Sequence, residues 1–333
     1  MFRDKKLLYN RLSWVLILGF LLWLFYSLDG QSFVKLKQEA SNYSFTGMLI
    51  SLSILVFCFL LELVFLPFKE SSIYKILHPN QSIIADLVIG IAYSLGIFFI
   101  LKSILYLSLD NYFPGLFKIR SPQSVKNLTL WYFPSLIFYL LVADFFKYWF
   151  HRLSHQIEFI WQIHLFHHAS TDFVILSGQR IHPIEHILNR IFVSLPLIAL
   201  GIRVDMYLSV LILLLFVEKL QHSMINWDYG WIGRHIIYSP LGHRIHHSKH
   251  EEHWDKNFGD LFVFWDKLFG TYYQGDKLDI EIGLKENWMN EQGVLFDLWH
   301  SMYLAYKSFI QSWKDKNWQA IHLRDKTKTP TLK

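Results

Sequence analysis

The segment that decides the fold runs from Thr129 to His155 and reads TLWYFPSLIFYLLVADFFKYWFHRLSH. As far as Phe150 it is almost continuously apolar, and about 20 such residues are enough to cross a bilayer as a helix. The apolar part leads directly into His151 and His155, which lie one helical turn apart and therefore share a face. The segment predicts a transmembrane helix that ends in metal-ligating side chains.

Two further histidine clusters repeat this spacing. They are His164-Leu-Phe-His167-His168 and His243-Arg-Ile-His246-His247. Of the 17 histidines in the chain, 14 fall between His151 and His253. Neutral imidazole is the commonest metal-ligating side chain, and it binds iron, zinc, copper and nickel. The eight imidazoles of the three clusters exceed the four ligands of a tetrahedral site, so they predict two metals close together.

The composition is that of a membrane protein. Hydrophobic residues make up 53% of the chain and charged residues 18%, with a mean hydropathy of +0.24. This balance is too apolar for a typical soluble enzyme. The 29 Phe, 17 Tyr and 13 Trp favour aromatic belts at the membrane interfaces. The net charge of +5 comes from scattered basic residues, which argues against nucleic-acid binding and suits anionic lipid headgroups.

The single cysteine, Cys58, lies inside an apolar run. One cysteine cannot form an intrachain disulfide, and it excludes cysteine-rich zinc or iron–sulfur ligation. Any metal centre in this chain must therefore be ligated by nitrogen and oxygen.

Three more apolar stretches precede the one that ends at His151. They are Leu12–Leu28, Gly47–Phe68 and Ile83–Leu109. A later apolar region, Leu188–Leu220, is broken near Gly201, and each half is short for a full crossing. It predicts a helical hairpin that enters and leaves the membrane on one side. The predicted fold is an all-α integral membrane protein with about four transmembrane helices plus this re-entrant hairpin.

The basic N-terminus predicts a cytoplasmic start, and four crossings then return the chain to the cytoplasm at His151. From Gln221 onward the sequence is polar, aromatic and histidine-rich, which predicts a cytosolic helical cap. The cap would hold the dinuclear metal site on the cytoplasmic face. The predicted domains are an N-terminal transmembrane region over 1–128, a histidine-rich domain over 129–275, and a C-terminal cap with a charged tail over 276–333.

Asp144 precedes His151 by two helical turns and so shares its face. A carboxylate within a membrane span is expensive and usually functional. Asp144 is predicted to accept a hydrogen bond from a ligand N–H, which would fix the ring tautomer. The alternative is an ordinary helix-end pair with Lys147.

The string Arg180-Ile-His182-Pro-Ile-Glu185-His186 supports two interpretations. In the first, His182 is a further metal ligand and Glu185 a catalytic neighbour of the centre. In the second, the string is an H-x-x-E-H zinc-peptidase pattern. Pro183 stands where that pattern needs regular helix.

His222 and Asn226 lie four residues apart at the exit of the predicted hairpin. His222 is a candidate additional metal ligand. Asn226 has two interpretations. It is a candidate catalytic residue that forms a hydrogen bond beside the metals, or it is a polar residue at the end of the helix.

The three clusters, in this order and spacing, resemble those of the fatty acid hydroxylase superfamily, which includes the sterol desaturases. Further strings carry the resemblance: Asp144-Phe-Phe-Lys-Tyr-Trp-Phe-His151-Arg, Trp161-Gln-Ile-His164, Arg180-Ile-His182-Pro-Ile-Glu185, Gln221-His222-Ser, Asn257-Phe-Gly259 and Trp265-Asp-Lys-Leu-Phe-Gly-Thr271. It covers Thr129 to Tyr273, and it is specific for the superfamily rather than for a substrate.

The resemblance implies an integral-membrane, non-haem di-iron enzyme that uses dioxygen and two electrons, with 129–275 as its catalytic domain. It places the two iron atoms on His222 and the eight cluster histidines, His151, His155, His164, His167, His168, His243, His246 and His247. Some members have a further histidine at the position of Asn226. Zinc is expected to replace iron in some purified samples, because it binds such sites well.

The predicted function is hydroxylation or desaturation of a lipid or sterol drawn from the bilayer. Nothing in the chain resembles the cytochrome b5 domain fused to some members, so a separate cytochrome b5-, ferredoxin- or pterin-type electron donor is expected. The alternative enzyme is a zinc-dependent membrane hydrolase built on His182, Glu185 and His186, which leaves the other clusters unexplained. A metal transporter would need ligands along a path through the membrane, whereas these lie in the cap.

Overall fold

The computed structural model describes residues 51–94, 129–202, 204–275, 280–285 and 288–314. Apart from two isolated β-bridges, Ile237 with Phe262 and Ser248 with Ile282, the regular structure of these residues is helical. This confirms the all-α class for the part of the chain that is described.

The described residues as far as His168 form five α-helices and one short 3₁₀ turn, Phe68–Glu70. The helices are α1 (Ser51–Phe65), α2 (Ser72–Leu77), α3 (Gln81–Ser94), α4 (Thr129–Gln156) and α5 (Glu158–His168). The second half begins with a 3₁₀ turn, Ile175–Gln179, and has another at Glu251–His253. Its helices are α6 (Pro183–Ala199), α7 (Val204–Gln221), α8 (Gly230–His235), α9 (Pro240–His246), α10 (Phe264–Leu268) and α11 (Val294–Lys314).

Helix α4 is the candidate membrane span. Within the described ranges it is the one helix long and apolar enough to cross a bilayer, over Tyr132–Gln156. α1 and α3 are shorter apolar helices. The predicted span Leu12–Leu28 lies outside the described residues, and Gly47–Phe68 and Ile83–Leu109 lie only partly within them. The number of crossings therefore stays a prediction.

The break predicted near Gly201 is where α6 ends and the chain turns into α7. Gly201 has a φ of 73°, and the Ile202 amide donates back to the Leu197 carbonyl at 3.1 Å. A left-handed glycine with a long return bond is the usual way to end a helix. Ser194 and Tyr207, one on each helix, join through their hydroxyls at 2.8 Å.

Two buried clusters fix the helices that carry the histidines. Trp161, Leu165 and Phe166 of α5 pack with Ile89 of α3 and Phe296 of α11. Each such side chain contributes roughly 1.5–3 kcal/mol when fully buried. α5 is therefore held on two sides, and its histidines have little freedom to move.

The second cluster joins α4 to the hairpin. Leu140 and Ala143 of α4 pack against Val193 and Leu197 of α6 and Val210 of α7. The end of α4 that carries the histidines is thus braced against both arms of the hairpin.

Candidate metal centre

The first two clusters fold onto one another because a short connection joins their helices. A single residue, Ile157, separates α4 from α5, and its amide still bonds to the Leu153 carbonyl at 2.9 Å. This tight turn brings the histidines of α5 back beside those of α4. The third cluster lies on α9, whose C-cap is His247.

Nine histidines form two groups whose ring nitrogens lie within 4.8 Å of one another. The first group is His151, His155, His164, His168 and His246, and the second is His167, His222, His243 and His247. The neighbours His167 and His168 belong to different groups, and the rings of His168 and His247 stack at 4.3 Å. The two groups therefore lie side by side, as a dinuclear centre requires.

The first group has the geometry of metal ligands. Nε2 of His168 lies 3.0 Å from Nε2 of His155, 3.1 Å from that of His164 and 3.2 Å from that of His246. A ring nitrogen has one proton or one lone pair, so it cannot hydrogen-bond to three partners at once. Two ligand nitrogens that each lie about 2.1 Å from the same metal, and that form a right angle at it, are about 3.0 Å apart. These nitrogens fit a shared ion better than direct hydrogen bonds.

The second group shows the same pattern. Nε2 of His243 lies 3.1 Å from Nε2 of His222. Among the residues that the structure describes, both ring nitrogens of His247 are buried without a hydrogen-bond partner. Buried polar atoms are rarely left unsatisfied unless they bind an ion or water. The donor set is neutral and entirely nitrogen, which suits iron or zinc.

Burial keeps the imidazoles in the metal-binding form. It lowers the pKa of His246 to about 3, and it lowers the pKa of His168 and His247 well below the usual value. The neighbouring imidazoles lower these pKa values further in His168 and His247. The rings are therefore neutral near pH 7 and present lone pairs.

The ring nitrogens away from the metals are oriented by hydrogen bonds. His151 Nδ1 lies 2.9 Å from the Phe258 carbonyl, and His246 Nδ1 lies 2.8 Å from the Lys256 carbonyl. A carbonyl oxygen can only accept, so each Nδ1 carries the proton and each Nε2 is free for a metal. His222 and His167 are directed in the same way by the carbonyls of Glu218 and Arg180.

Asp144 does not bond to His151, so that prediction is corrected. Its carboxylate accepts the backbone amides of Leu261 at 2.7 Å and Phe262 at 2.9 Å. The alternative pairing with Lys147 is not formed either, because Lys147 bonds to Asp260 at 2.5 Å. Asp144 acts at a distance, by holding the loop that supplies the carbonyl for His151.

Asp266 holds the other side of that loop, and sequence reasoning missed it. The carboxylate is fully buried and accepts the amides of Phe258 and Gly259 at 2.9 and 2.7 Å. It also accepts the Tyr238 and Thr271 hydroxyls. The sequence contained one signal, the aspartate directly after Trp265 in the string Trp265-Asp-Lys-Leu-Phe-Gly-Thr271.

Arg180 is a second residue whose role sequence reasoning missed. Its side chain is fully buried, with an ion pair to Asp86 at 3.2 Å and a bond to the Phe166 carbonyl at 2.8 Å. Its own carbonyl faces His167. The Arg180–Asp86 pair thus ties α3 to α5 next to the second group.

His182 lies outside both groups, which corrects its prediction as a ligand. It is the N-cap of α6, with Nδ1 accepting the Ile184 amide and Nε2 3.2 Å from the Leu298 carbonyl. Glu185 binds Nδ1 of His164 at 2.6 Å, and His186 contacts the Tyr93 hydroxyl. The residues of the H-x-x-E-H string thus have separate partners and form no common site among the described residues.

Asn226 is exposed, and within the described residues its side chain makes no hydrogen bond to a ring nitrogen of the two groups. Its side-chain carbonyl accepts from Arg244 at 2.6 Å. Arg244 also donates to the carbonyls of Ser223 and Ile225, so this pair shapes the turn after His222. His222 itself joins the second group, as predicted from its position at the hairpin exit.

The fold and site together define a helical protein in which two adjacent groups of histidines could hold metal ions beside a membrane-length helix. Residues 136–271 match the model of the family described as fatty acid hydroxylase, so this part of the chain is similar to that family. That range begins in α4 and contains all nine histidines of the two groups.

Three curated relatives are similar to part of the chain. Alkylglycerol monooxygenase of Homo sapiens is 33% identical over 132 residues, 40% of this chain and 29% of that protein. Ornithine lipid hydroxylase OlsE of Rhizobium tropici is 30% identical over 134 residues, 40% of each chain. Cholesterol 25-hydroxylase of Homo sapiens is 24% identical over 138 residues, 41% of this chain and 50% of that protein. The matches thus span half or less of these relatives, and no solved structure matches significantly.

Proposed function

We propose that this protein is a membrane-bound non-haem di-iron oxygenase that hydroxylates or desaturates a lipid or sterol with dioxygen and two electrons. The observation that carries the proposal is the pair of adjacent groups of buried imidazoles. The names of the three relatives describe one monooxygenase and two hydroxylases of lipids or sterols. These names support the same class of reaction here.

Hydroxylation converts a C–H bond to C–OH. Dioxygen supplies the inserted oxygen atom, and its second oxygen leaves as water after taking up two electrons and two protons. Desaturation instead removes two hydrogens from neighbouring carbons and yields two waters from the same inputs. Side chains cannot deliver such an oxidant, and the bound metals would supply that chemistry. The two electrons come from a separate donor.

The residues of the chain hold the ligands and keep water away. The side chains of Phe173 and Phe258 are 0% and 1% exposed, and their rings lie 5.0 Å from His247 and 5.6 Å from His246. A dry, apolar surround prevents side reactions of a strong oxidant. The hydrogen bonds to Nδ1 fix the rings, so no reorganisation is needed when the metals bind.

The position of the site suits a substrate that lies in the bilayer. The first half of α4 exposes apolar side chains, with Phe133 68% and Ile137 55% exposed. His151 and His155 lie at the other end of the same helix. A lipid beside α4 would therefore reach the metals from the membrane, on the face we assign to the cytoplasm.

The test is the metal content of the purified full-length protein, for wild type and for a double variant, His168→Ala with His247→Ala. The double variant removes one ligand from each group. We expect about two metals per wild-type chain, chiefly iron after expression with iron, because nine imidazoles exceed the needs of one ion. The variant should lose most of both. His235→Ala is the matched control, since this exposed ring stacks on Trp231 outside both groups.

A single zinc ion that persists in the double variant would overturn the dinuclear proposal. If two metals are found, the activity test follows. Lipids and sterols are supplied with dioxygen and a reductant, and oxygen uptake is compared with hydroxylated and desaturated products. Oxygen uptake without an oxidised lipid, across both substrate classes, would contradict the proposed reaction.

A further inference from the structure

Helix α8 and its C-cap present an exposed apolar face. Trp231 is 65% exposed, Ile232 50% and Ile236 39%. Ile232 and Ile236 lie one helical turn apart and share a face, whereas Arg234 lies two residues from each and points to another side. An aromatic and aliphatic face opposite a basic residue is typical of a helix that lies in the interface of a membrane.

This face continues into the surface of the candidate membrane span. An apolar groove of about 670 Å³ is lined by Ile232 of α8, Leu140 of α4, and Leu213 and Phe216 of α7. Further along α4, Phe133 is exposed in the same apolar helix. Lipid that surrounds α4 would fill the groove and would therefore also meet α8.

Backbone hydrogen bonds hold α8 at a fixed position beside α4. The Val263 amide donates to the Ile236 carbonyl at 3.1 Å, and the Tyr238 amide donates to the Leu261 carbonyl at 2.9 Å. The Leu261 amide in turn donates to the carboxylate of Asp144, on α4, at 2.7 Å. The exposed face of α8 cannot turn inward without breaking these bonds, so the fold sets its depth along α4.

Two cations accompany the apolar face. Arg234 is exposed and lines a cavity of about 220 Å³ with Tyr272, and the ammonium of Lys267 lies 4.9 Å from the centre of the Tyr272 ring. The ion pairs within the described residues use other cations. Asp228, which also lines the cavity, accepts the Gly230 amide. Cations without a carboxylate partner beside an apolar face suit the phosphates of anionic lipids.

The charges favour a lipid surface over a second copy of the chain. Two copies docked through α8 would bring Arg234 and Lys267 of each chain towards those of the other, and like charges across an interface repel. A bilayer offers the opposite sign at its headgroups and an apolar layer directly beneath them. It therefore matches both parts of this surface at once.

We propose that α8 lies in the interface of the bilayer, with Trp231, Ile232 and Ile236 among the acyl chains. Arg234 and Lys267 bind the phosphates of anionic lipids beside it. The anchor sets the height at which α9, four residues further along the chain, stands above the hydrocarbon core. The inference goes beyond the oxygenase proposal and does not rest on it, since it needs only that α4 lies in the membrane.

The first test measures the depth of a spin label in the full-length protein, in nanodiscs of phosphatidylcholine and phosphatidylglycerol. Cys58→Ser removes the single native thiol, and the label is attached through Ile232→Cys. Phe133→Cys on α4 is the lipid reference. Glu251→Cys is the water reference, because the Glu251 side chain is 65% exposed. The Ile232→Cys label should collide more often with oxygen, which concentrates in lipid, than with a water-soluble nickel complex.

Phe133→Cys should show the same order, and Glu251→Cys the reverse. A nickel-accessible label at Ile232→Cys would place α8 in water and overturn the inference. A label shielded from both reagents would overturn it as well, because protein would then cover the face. In that case, dipolar coupling between labels on two chains would identify the cover as a second copy.

The second test measures lipid binding by the two cations. Phosphatidylglycerol and phosphatidylcholine with the same fluorescent tail are titrated into the full-length protein in detergent. Wild type should prefer phosphatidylglycerol. Removal of each charge, by Arg234→Gln or Lys267→Gln, should weaken phosphatidylglycerol binding about fivefold and leave phosphatidylcholine binding unchanged.

Lys285→Gln is the matched control, because this exposed lysine is already paired with Glu251 at 2.6 Å. It should leave the preference for phosphatidylglycerol at the wild-type value. Equal binding of the two lipids by wild type, or an equal loss in the control and in the α8 variants, would overturn the inference. Neither result bears on the metal content, so the oxygenase proposal is tested separately.

Discussion

The backbone carbonyl of Phe258 accepts a hydrogen bond from Nδ1 of His151 across 2.9 Å. The loop that presents this carbonyl is held by two buried carboxylates, Asp144 and Asp266, through four backbone amides. An aspartate in the membrane-length helix and another in α10 therefore decide the direction in which a metal ligand points. This linkage leads to the first prediction.

Asp266→Asn should weaken metal binding without removing a ligand. The amide retains an accepting oxygen, but its NH₂ group would face the amides of Phe258 or Gly259, which also donate. Loss of such outer hydrogen bonds typically lowers metal affinity about 10- to 100-fold. The measurement is metal retained against a graded series of chelator concentrations. Asp228→Asn is the control, because that exposed carboxylate bonds only to the nearby Gly230 amide. Equal retention in both variants would contradict the role given to the loop.

Glu185→Gln should affect the first group of ligands. The glutamine can still accept from His164 at Nδ1, but it lacks the negative charge that makes the imidazole a stronger ligand. Glu185→Ala removes the bond altogether, so we expect a graded loss of metal affinity, with glutamine falling between wild type and alanine. Metal titration of the three proteins checks the order. Full metal binding by the alanine variant would show that Glu185 does not orient His164.

Gly178→Ala should disturb the second group. A Cβ at this position would lie 2.8 Å from Nδ1 of His222 and 3.0 Å from Cγ of Glu218, closer than atoms normally approach. The ring of His222 must shift, which breaks its bond to the Glu218 carbonyl, and we expect the loss of about one metal per chain. Gly275→Ala is the matched control, since its Cβ would meet the side chain of Tyr273 outside both groups. A normal metal content in Gly178→Ala, measured beside that control, would disprove the expectation.

Removal of the metals should lower the melting temperature. An ion that binds only the folded protein stabilises it by about 4 kcal/mol when its free concentration is 1,000 times Kd. Without ions, nine imidazoles, eight of them buried, are crowded together with no cation between their ring nitrogens. We therefore expect chelator to lower the Tm of wild type by several degrees and to leave the His168→Ala, His247→Ala double variant unchanged. An equal shift in both proteins would mean that chelator acts elsewhere.

The sequence predicted the helical class well, because that class depends on local spacing. The same spacing pointed to the histidines that the structure brings together, and their role as metal ligands stays a prediction. Three- and four-residue gaps place imidazoles on one face of any helix, whichever way the helix packs. The superfamily was recognisable from the same clusters, and the family match over residues 136–271 confirms it. Eight cluster histidines and His222 all fall in the two groups. The count of membrane crossings stays a prediction, since two of the other three predicted spans are only partly described and the first not at all.

His182 and Asp144 show where local spacing fails. His182 lies close to the clusters in the sequence, yet it caps α6. Asp144 shares a helix face with His151, yet it holds a loop more than a hundred residues away. Nothing in a helical period reveals such partners, because backbone amides and carbonyls are the same at every position. Their availability depends on which loop the fold brings near.

The sequence by itself determined which side chains are candidates to bind metal, since the type and period of the histidines suffice for that. The tertiary structure alone decided how they are divided into two groups, with His167 and His168 on different sides of one helix turn. It also decided which carbonyls and carboxylates orient these histidines. The reason is physical: ligand identity is a property of a side chain, whereas orientation, burial and the absence of a partner are properties of everything packed around it.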